Sequence, residues 1–121
     1  MTEHDLQLKK FQKELSAGTV SLALLAVLAK SGEPMYGYLI AKQLEQVGEG
    51  VLSGKQSALY PVLRNLEGGG LLESSVEPST TGPPRRYYRI TGAGRDTLLE
   101  WIGAWRATRD SVDSVLLGIP E

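Results

Sequence analysis

Two stretches of the chain carry side chains suited to meeting phosphate. One holds Lys55, Gln56, Ser57, Tyr60 and Arg64, and the other holds Arg85, Arg86 and Tyr88. Lysine and arginine neutralise phosphates, while amide, hydroxyl and phenol groups reach phosphate oxygens or base edges. Other chemistries lack their materials. There is no cysteine, so thiolate nucleophiles, disulfides and zinc–thiolate sites are excluded, and His4 is the single histidine, set in a polar start. His4 has Glu3 and Asp5 beside it but belongs to no metal-ligand cluster, no glycine-rich phosphate loop follows a strand, and no serine has a plausible base beside it. The sequence therefore does not read as an enzyme, and neither metal nor cofactor is expected.

Charge is distributed unevenly. The whole chain has Lys+Arg 13 against Asp+Glu 14, a formal net charge of −1. Between Ser53 and Arg95, however, Lys55, Arg64, Arg85, Arg86, Arg89 and Arg95 face only Glu67, Glu73 and Glu77, a local balance of +3 that leaves −4 for the rest. An average near zero thus hides a basic middle. With 121 residues, 41% of them hydrophobic, the chain has the size of one domain with one core, and an extra exposed helix would need a partner.

The elements that must position these groups are legible from periodicity. Leu6, Leu8, Phe11 and Leu15 lie opposite Lys9, Lys10, Lys13 and Glu14, which predicts a short amphipathic helix over residues 1–17. Ser16-Ala17-Gly18 predicts a break, with Thr19 or Ser21 capping a second helix. The run Val20–Ala29 is apolar on every side and predicts a central buried helix ended by Gly32 and Pro34. That run falls short of the roughly 20 apolar residues a bilayer needs, and the acidic start is not a secretory signal, so a cytoplasmic protein without a membrane segment is expected. A helix from about Gly37 to Val47 is expected to bury Leu39, Ile40 and Leu44 and to end at Gly48-Glu49-Gly50. Another, between Ser53-Gly54 and Gly68-Gly69-Gly70, buries Leu59, Val62, Leu63 and Leu66, with Pro61 pushing its regular start to about Leu59 or Tyr60.

Leu71–Val76 and Arg86–Ile90 predict a hairpin with a long tip, and Pro83-Pro84 stiffens the approach to Arg85 and Arg86. Tyr87 and Tyr88 must point to opposite faces, so one is core and one is free for contact; the contact is assigned to Tyr88. The last helix, over residues 92–118, carries a seam of Leu98, Ile102, Trp105, Val112 and Leu116 interrupted by Arg109, which predicts dimerisation. Arg109 would pair with an acid across that interface or meet an anionic effector. The order helix, helix, helix, strand, basic loop, strand over residues 18–91 predicts a winged helix-turn-helix. The fold class is mainly α with a small β-hairpin, and its third helix would enter the major groove of double-stranded DNA while the wing meets the flanking backbone.

Four motifs carry a family resemblance: Met35-Tyr36-Gly37-Tyr38-Leu39-Ile40, Ala58-Leu59-Tyr60-Pro61-Val62-Leu63-Arg64-Asn65-Leu66-Glu67, Gly70-Leu71-Leu72, and the stretch from Gly82 to Arg95. In this order they resemble the PadR family of bacterial transcriptional regulators from about Gly18 to Leu116, and the single helix after the wing resembles its small subfamily. The resemblance implies a homodimer, formed largely through the last helix, that represses from a palindromic operator and releases it when a small molecule binds. It further implies that Trp105, with Trp101 one turn earlier, stacks a planar aromatic or phenolic effector at the dimer seam. Where many relatives have Gly-Thr before the Leu-Tyr pair, this chain has Ser57-Ala58, which implies a different operator. The alternative reading is a winged-helix adaptor that binds only protein; steep log-linear weakening by salt separates DNA binding from it.

Overall fold

The computed structural model describes residues 2–47 and 56–120, and of residues 56 and 57 the backbone only. Its elements run α1 (Glu3–Ser31), β1 (Met35–Tyr36), α2 (Gly37–Glu45), α3 (Gln56–Gly68), β2 (Leu72–Glu77), β3 (Arg85–Ile90) and α4 (Gly92–Leu116). The strands form one antiparallel sheet in the order β1-β3-β2. The expected mainly helical winged architecture is present, with one strand more than the sequence suggested.

A single helix of 29 residues replaces the two expected at the N-terminus. Thr2 opens it with a capping box: the Asp5 amide donates to Thr2 Oγ1 at 3.1 Å, and the Thr2 amide donates to Asp5 Oδ2 at 3.2 Å. At the expected break, Ser16 Oγ donates to the Lys13 carbonyl at 3.2 Å and Thr19 Oγ1 to the Leu15 carbonyl at 3.1 Å. Both hydroxyls are satisfied by the preceding turn and cap nothing, so a lone glycine, costing about 1 kcal/mol in a helix interior, does not stop propagation. By length and composition α1 could cross a membrane, which the run Val20–Ala29 alone could not. Its second half nevertheless supplies the core: Leu24 and Leu25 are 0% exposed and Leu28 is 2% exposed.

Against these leucines pack Ile40, Ala41 and Leu44 of α2, Leu59, Leu63 and Leu66 of α3, and Met35, Leu72, Tyr88 and Leu98. Leu39, expected inside, is exposed, and α2 ends at Glu45, two residues earlier than predicted. The expected boundaries at Gly48-Glu49-Gly50 and Ser53-Gly54 lie outside the described residues. Pro61 sits within α3, whose helical backbone already holds at Gln56. The ring faces solvent, so the helix forgoes one backbone hydrogen bond without losing its buried leucine stripe.

The glycine triplet is a tight stop. The Leu71 amide donates to the Leu66 carbonyl at 3.0 Å and the Gly70 amide to the Glu67 carbonyl at 2.9 Å, while Gly70 takes φ 80°. This is a Schellman ending, and its left-handed residue suits glycine. It turns the chain directly into β2. There Thr91 fastens the start of α4: its amide donates to the Leu71 carbonyl at 3.1 Å, and its hydroxyl donates to the Gly70 carbonyl at 2.7 Å while accepting from the Gly94 amide at 3.0 Å.

Candidate nucleic-acid interface

Helical spacing places Tyr60, Arg64 and Glu67 (i, i+4, i+7) on one stripe of α3. In the hairpin the partners Leu72↔Ile90, Ser74↔Tyr88 and Val76↔Arg86 share one face, by the two-residue period of a strand. That face grades from buried Leu72 to exposed Val76 and Arg86. The helix stripe and the strand face meet in a cleft of about 590 Å³ lined by Tyr60, Arg64, Glu67, Arg86 and Tyr88. Four of the predicted contact residues, Tyr60, Arg64, Arg86 and Tyr88, therefore line one cleft although they come from elements well separated in sequence.

A hydrogen-bond chain crosses this cleft. Ser74 Oγ donates to Glu67 Oε2 at 2.6 Å, and Arg86 Nη1 donates to Ser74 Oγ at 3.0 Å. Among the described residues the ion pairs are Arg89–Glu73 and Arg109–Asp110, so neither Arg64 nor Arg86 is neutralised by a direct ion pair. Tyr60 also rests against the first residue of α2: a Cβ on Gly37 would come within 3.0 Å of the Tyr60 ring and hydroxyl. The missing side chain at Gly37 is what lets the phenol lie there.

Tyr88 corrects the sequence reading. It is 2% exposed and belongs to the core, because its strand position places it opposite Ser74 and under α3. It floors the cleft and is not free to meet DNA directly. Burial raises its phenol pKa above 10.0, Glu67 adds to the rise, and Arg86 and Arg64 oppose it. Those groups therefore converge electrostatically on one hydroxyl.

Arg85 and Arg86 do not act on one surface. Strand alternation sends Arg85 to the opposite face, where its guanidinium lies 4.5 Å from the centre of the Tyr36 ring. Tyr36 in turn meets Tyr87 edge-on at 5.4 Å and stacks on Tyr38 at 6.2 Å, with Lys42 Nζ 5.6 Å from the Tyr38 ring. On the same face Arg89 pairs with Glu73 at 2.6 Å, an exposed contact worth about 0–1 kcal/mol. Lys55 lies outside the described residues, and for Gln56 and Ser57 the backbone alone is described, in the first turn of α3.

The predicted dimer seam divides in two. Leu98, 7% exposed, belongs to its own subunit's core, and Ile102 and Trp101 pack against that core, because the first turns of α4 lie on α1. Leu98 is thus corrected from interface to core. Beyond that point the stripe is uncovered: Trp105 is 39% exposed, Val112 50% and Leu116 56%. Arg109 pairs with the adjacent Asp110 at 3.1 Å. The first half of α1 is uncovered as well, with Leu6, Leu8, Phe11 and Leu15 all exposed, so it does not pack on its own subunit.

Sequence reasoning missed Glu67 and Ser74. Glu67 shares the heptad-like spacing of Tyr60 and Arg64 and was findable from that stripe. Ser74 was not, since its role depends on a diagonal contact set by strand register. It also missed β1, a two-residue strand whose Met35 and Tyr36 pair with Tyr88 and Tyr87.

Three helices, a short sheet and a basic cleft between the third helix and a hairpin define a winged helix-turn-helix protein of the kind that acts on DNA. The model of the PadR-like family of transcriptional regulators matches residues 24–100, narrower than the Gly18–Leu116 span of the resemblance. The chain belongs to that family: it is a DNA-binding transcriptional regulator and not an enzyme. Its structure is similar to a PadR family transcriptional regulator of Eggerthella lenta, with 33% identity, TM-score 0.77, and coverage of 95% of this chain and 96% of that one. A PadR-like regulator of Bacillus cereus is 28% identical with TM-score 0.70, covering 87% of this chain and 98% of the other. An uncharacterized protein of Lysinibacillus sphaericus is 28% identical over 99 residues, covering 82% of this chain and 88% of its own.

Proposed function

We propose that the protein is a homodimeric repressor that binds an inverted-repeat operator in the cytoplasm and releases it on binding a small planar effector. The observation that carries the DNA part is the cleft in which Arg64 of α3 and Arg86 of the wing face one space while neither has a direct ion pair among the described residues. A helix in the major groove and a wing on the adjacent backbone need cations on one side, and this pair supplies them. Gln56 and Ser57 in the first turn of α3, with Lys55 next to them in sequence, read base edges, and Tyr60 adds a phosphate contact. Arg85, held over Tyr36, serves the wing from its outer face.

The uncovered stripe of Trp105, Val112 and Leu116 supports dimerisation through α4, with Ile102 at its margin and Arg109 beside it. Two copies then offer two α3 helices to half-sites about one helical turn, roughly 10 base pairs, apart. An aromatic effector would stack on Trp105, the more exposed of the two tryptophans, with Trp101 behind it.

Salt titration is the test. Arg86→Ala weakens binding to every duplex alike and reduces the slope of log K against log salt by about 1, as for loss of one phosphate contact. Changing Gln56 alters preference among operators, by about 1–3 kcal/mol at the base it reads, with the salt slope unchanged. Fluorescence anisotropy across a salt series with operator and random duplex separates the two. Equal effects of a Gln56 substitution on both duplexes contradict its base-reading role, and salt-independent binding favours the protein-adaptor reading.

A further inference from the structure

We propose that Glu67 and Ser74 are positioning residues that fix the Arg86 guanidinium beside α3, so that helix and wing present their cations to the DNA backbone at a preset spacing. The inference rests on the DNA-binding reading above and goes beyond it by assigning work to two residues that do not touch DNA.

The geometry of the chain of hydrogen bonds carries the argument. The single hydroxyl proton of Ser74 is committed to Glu67 at 2.6 Å, a length typical of a hydroxyl held by a carboxylate. The Ser74 oxygen is then left to accept, and it accepts from Arg86 at 3.0 Å. The order of donation is thereby fixed from wing to helix, and each bond polarises the next. A direct Arg86–Glu67 pair would hold the wing equally well, but it would neutralise the guanidinium. With the serine between them, Arg86 keeps its charge and engages Ser74 through Nη1, which leaves other N–H donors of its fork for a phosphate.

Burial fits this division of labour. Glu67 and Ser74 are half-buried and Arg86 is exposed, so the anchor is sheltered and the working group is wet. Ser74 and Arg86 are not register partners. They sit diagonally on one face of the hairpin, Ser74 opposite Tyr88 and Val76 opposite Arg86, a separation within reach of a long side chain. Glu67 belongs to the last turns of α3, immediately before the Gly68–Gly70 stop that leads into β2. The link therefore closes a short loop of chain and ties the hairpin to the helix that reads the groove. An untethered arginine would have to be ordered when DNA binds; the tether imposes that order beforehand.

The test uses the full chain and a fluorescein-labelled 30-base-pair mixed-sequence duplex, because a backbone contact does not depend on the operator. Ser74→Ala weakens binding about 3–10-fold at every salt concentration with an unchanged salt slope, since the charge of Arg86 remains. Ser74→Thr, which keeps the hydroxyl, binds within about twofold of the parent chain. In chains carrying Arg86→Ala, Ser74→Ala causes no further loss. Glu67→Ala removes a negative charge near DNA as well as the anchor, so its effect on affinity differs by the same 3–10-fold between chains with and without Arg86. Additive losses in the double variant, or no rescue by threonine, overturn the positioning role while leaving DNA binding intact. If Arg86→Ala alone changes neither affinity nor salt slope, the phosphate contact and the proposal fall together.

Discussion

Trp105→Asp is expected to convert the regulator to monomers and to lower operator affinity by about 100-fold or more. The magnitude follows from what pairing contributes: joining two modules on one DNA raises affinity about 10²–10⁴-fold over a single module, without any new contact. Trp105 stands where α4 leaves its own core. The residues before it, Leu98, Trp101 and Ile102, are engaged within the subunit, whereas Trp105, Val112 and Leu116 are uncovered. A carboxylate there removes the largest side chain of the proposed interface and sets a charge against apolar surface, which is strongly unfavourable unless it is paired. The fold itself should survive, because Trp105 contributes little to the core. Sedimentation equilibrium, with anisotropy on an operator duplex, reads both effects. A stable dimer that binds like the parent chain would place the interface elsewhere, with the exposed first half of α1 the next surface to examine.

Gly94→Ala is expected to destabilise the fold by about 2–3 kcal/mol, in the range of overpacking in a filled core. A Cβ at this buried position would overlap the Leu71 carbonyl oxygen and approach Ile90 Cγ1 to 2.7 Å. The obstacle is backbone, and it cannot swing aside: the same carbonyl accepts the Thr91 amide at 3.1 Å, and Thr91 caps α4 through the Gly94 amide itself. Relief would require α4 to lift from the β2 edge and break the fastening at Thr91. Chemical denaturation monitored by circular dichroism gives the value. Glycines facing open space supply the control, and Gly103→Ala, inside α4, should be neutral or slightly stabilising through helix propensity. Equal stability of Gly94→Ala and the parent chain would show that α4 is not held where the structure puts it.

The two variants separate the roles of α4. Its first turns are part of the wing's foundation, and its later turns are uncovered, as the proposed pairing of two copies requires. The sequence could not draw that line, since a heptad-like stripe looks the same whether it meets its own core or a partner. Leu98 and Val112 occupy equivalent steps in the seam, and only the approach of α1 buries the first of them.

Much of the remaining fold was legible for reasons that are equally local. The i, i+3, i+4, i+7 stripe Leu59, Val62, Leu63, Leu66 gave α3, and glycine after it gave the stop. Apolar residues with turn-formers between them gave the hairpin. The readings that failed did so where a tertiary contact outweighed a local signal. Ser16-Ala17-Gly18 looks like a boundary, but the hydroxyls of Ser16 and Thr19 bond back into the helix and α1 continues. Tyr87 and Tyr88 had to face apart, and alternation alone could not say which was inside; the packing of α3 over the Ser74–Tyr88 pair decides it. The candidate site was read with the same reach. Arg64 and Arg86 were found by charge and element order, whereas the Glu67–Ser74 link between them emerges only from strand register.

Selection of bound fragments from a random pool of duplex DNA, using the full chain, tests the central claim most directly. The account predicts enrichment of an inverted repeat whose half-site centres lie about 10 base pairs apart, one α3 for each half-site. Recovery of no enriched sequence, or of an unpaired half-site alone, would contradict a two-fold reader built from the helix and the wing.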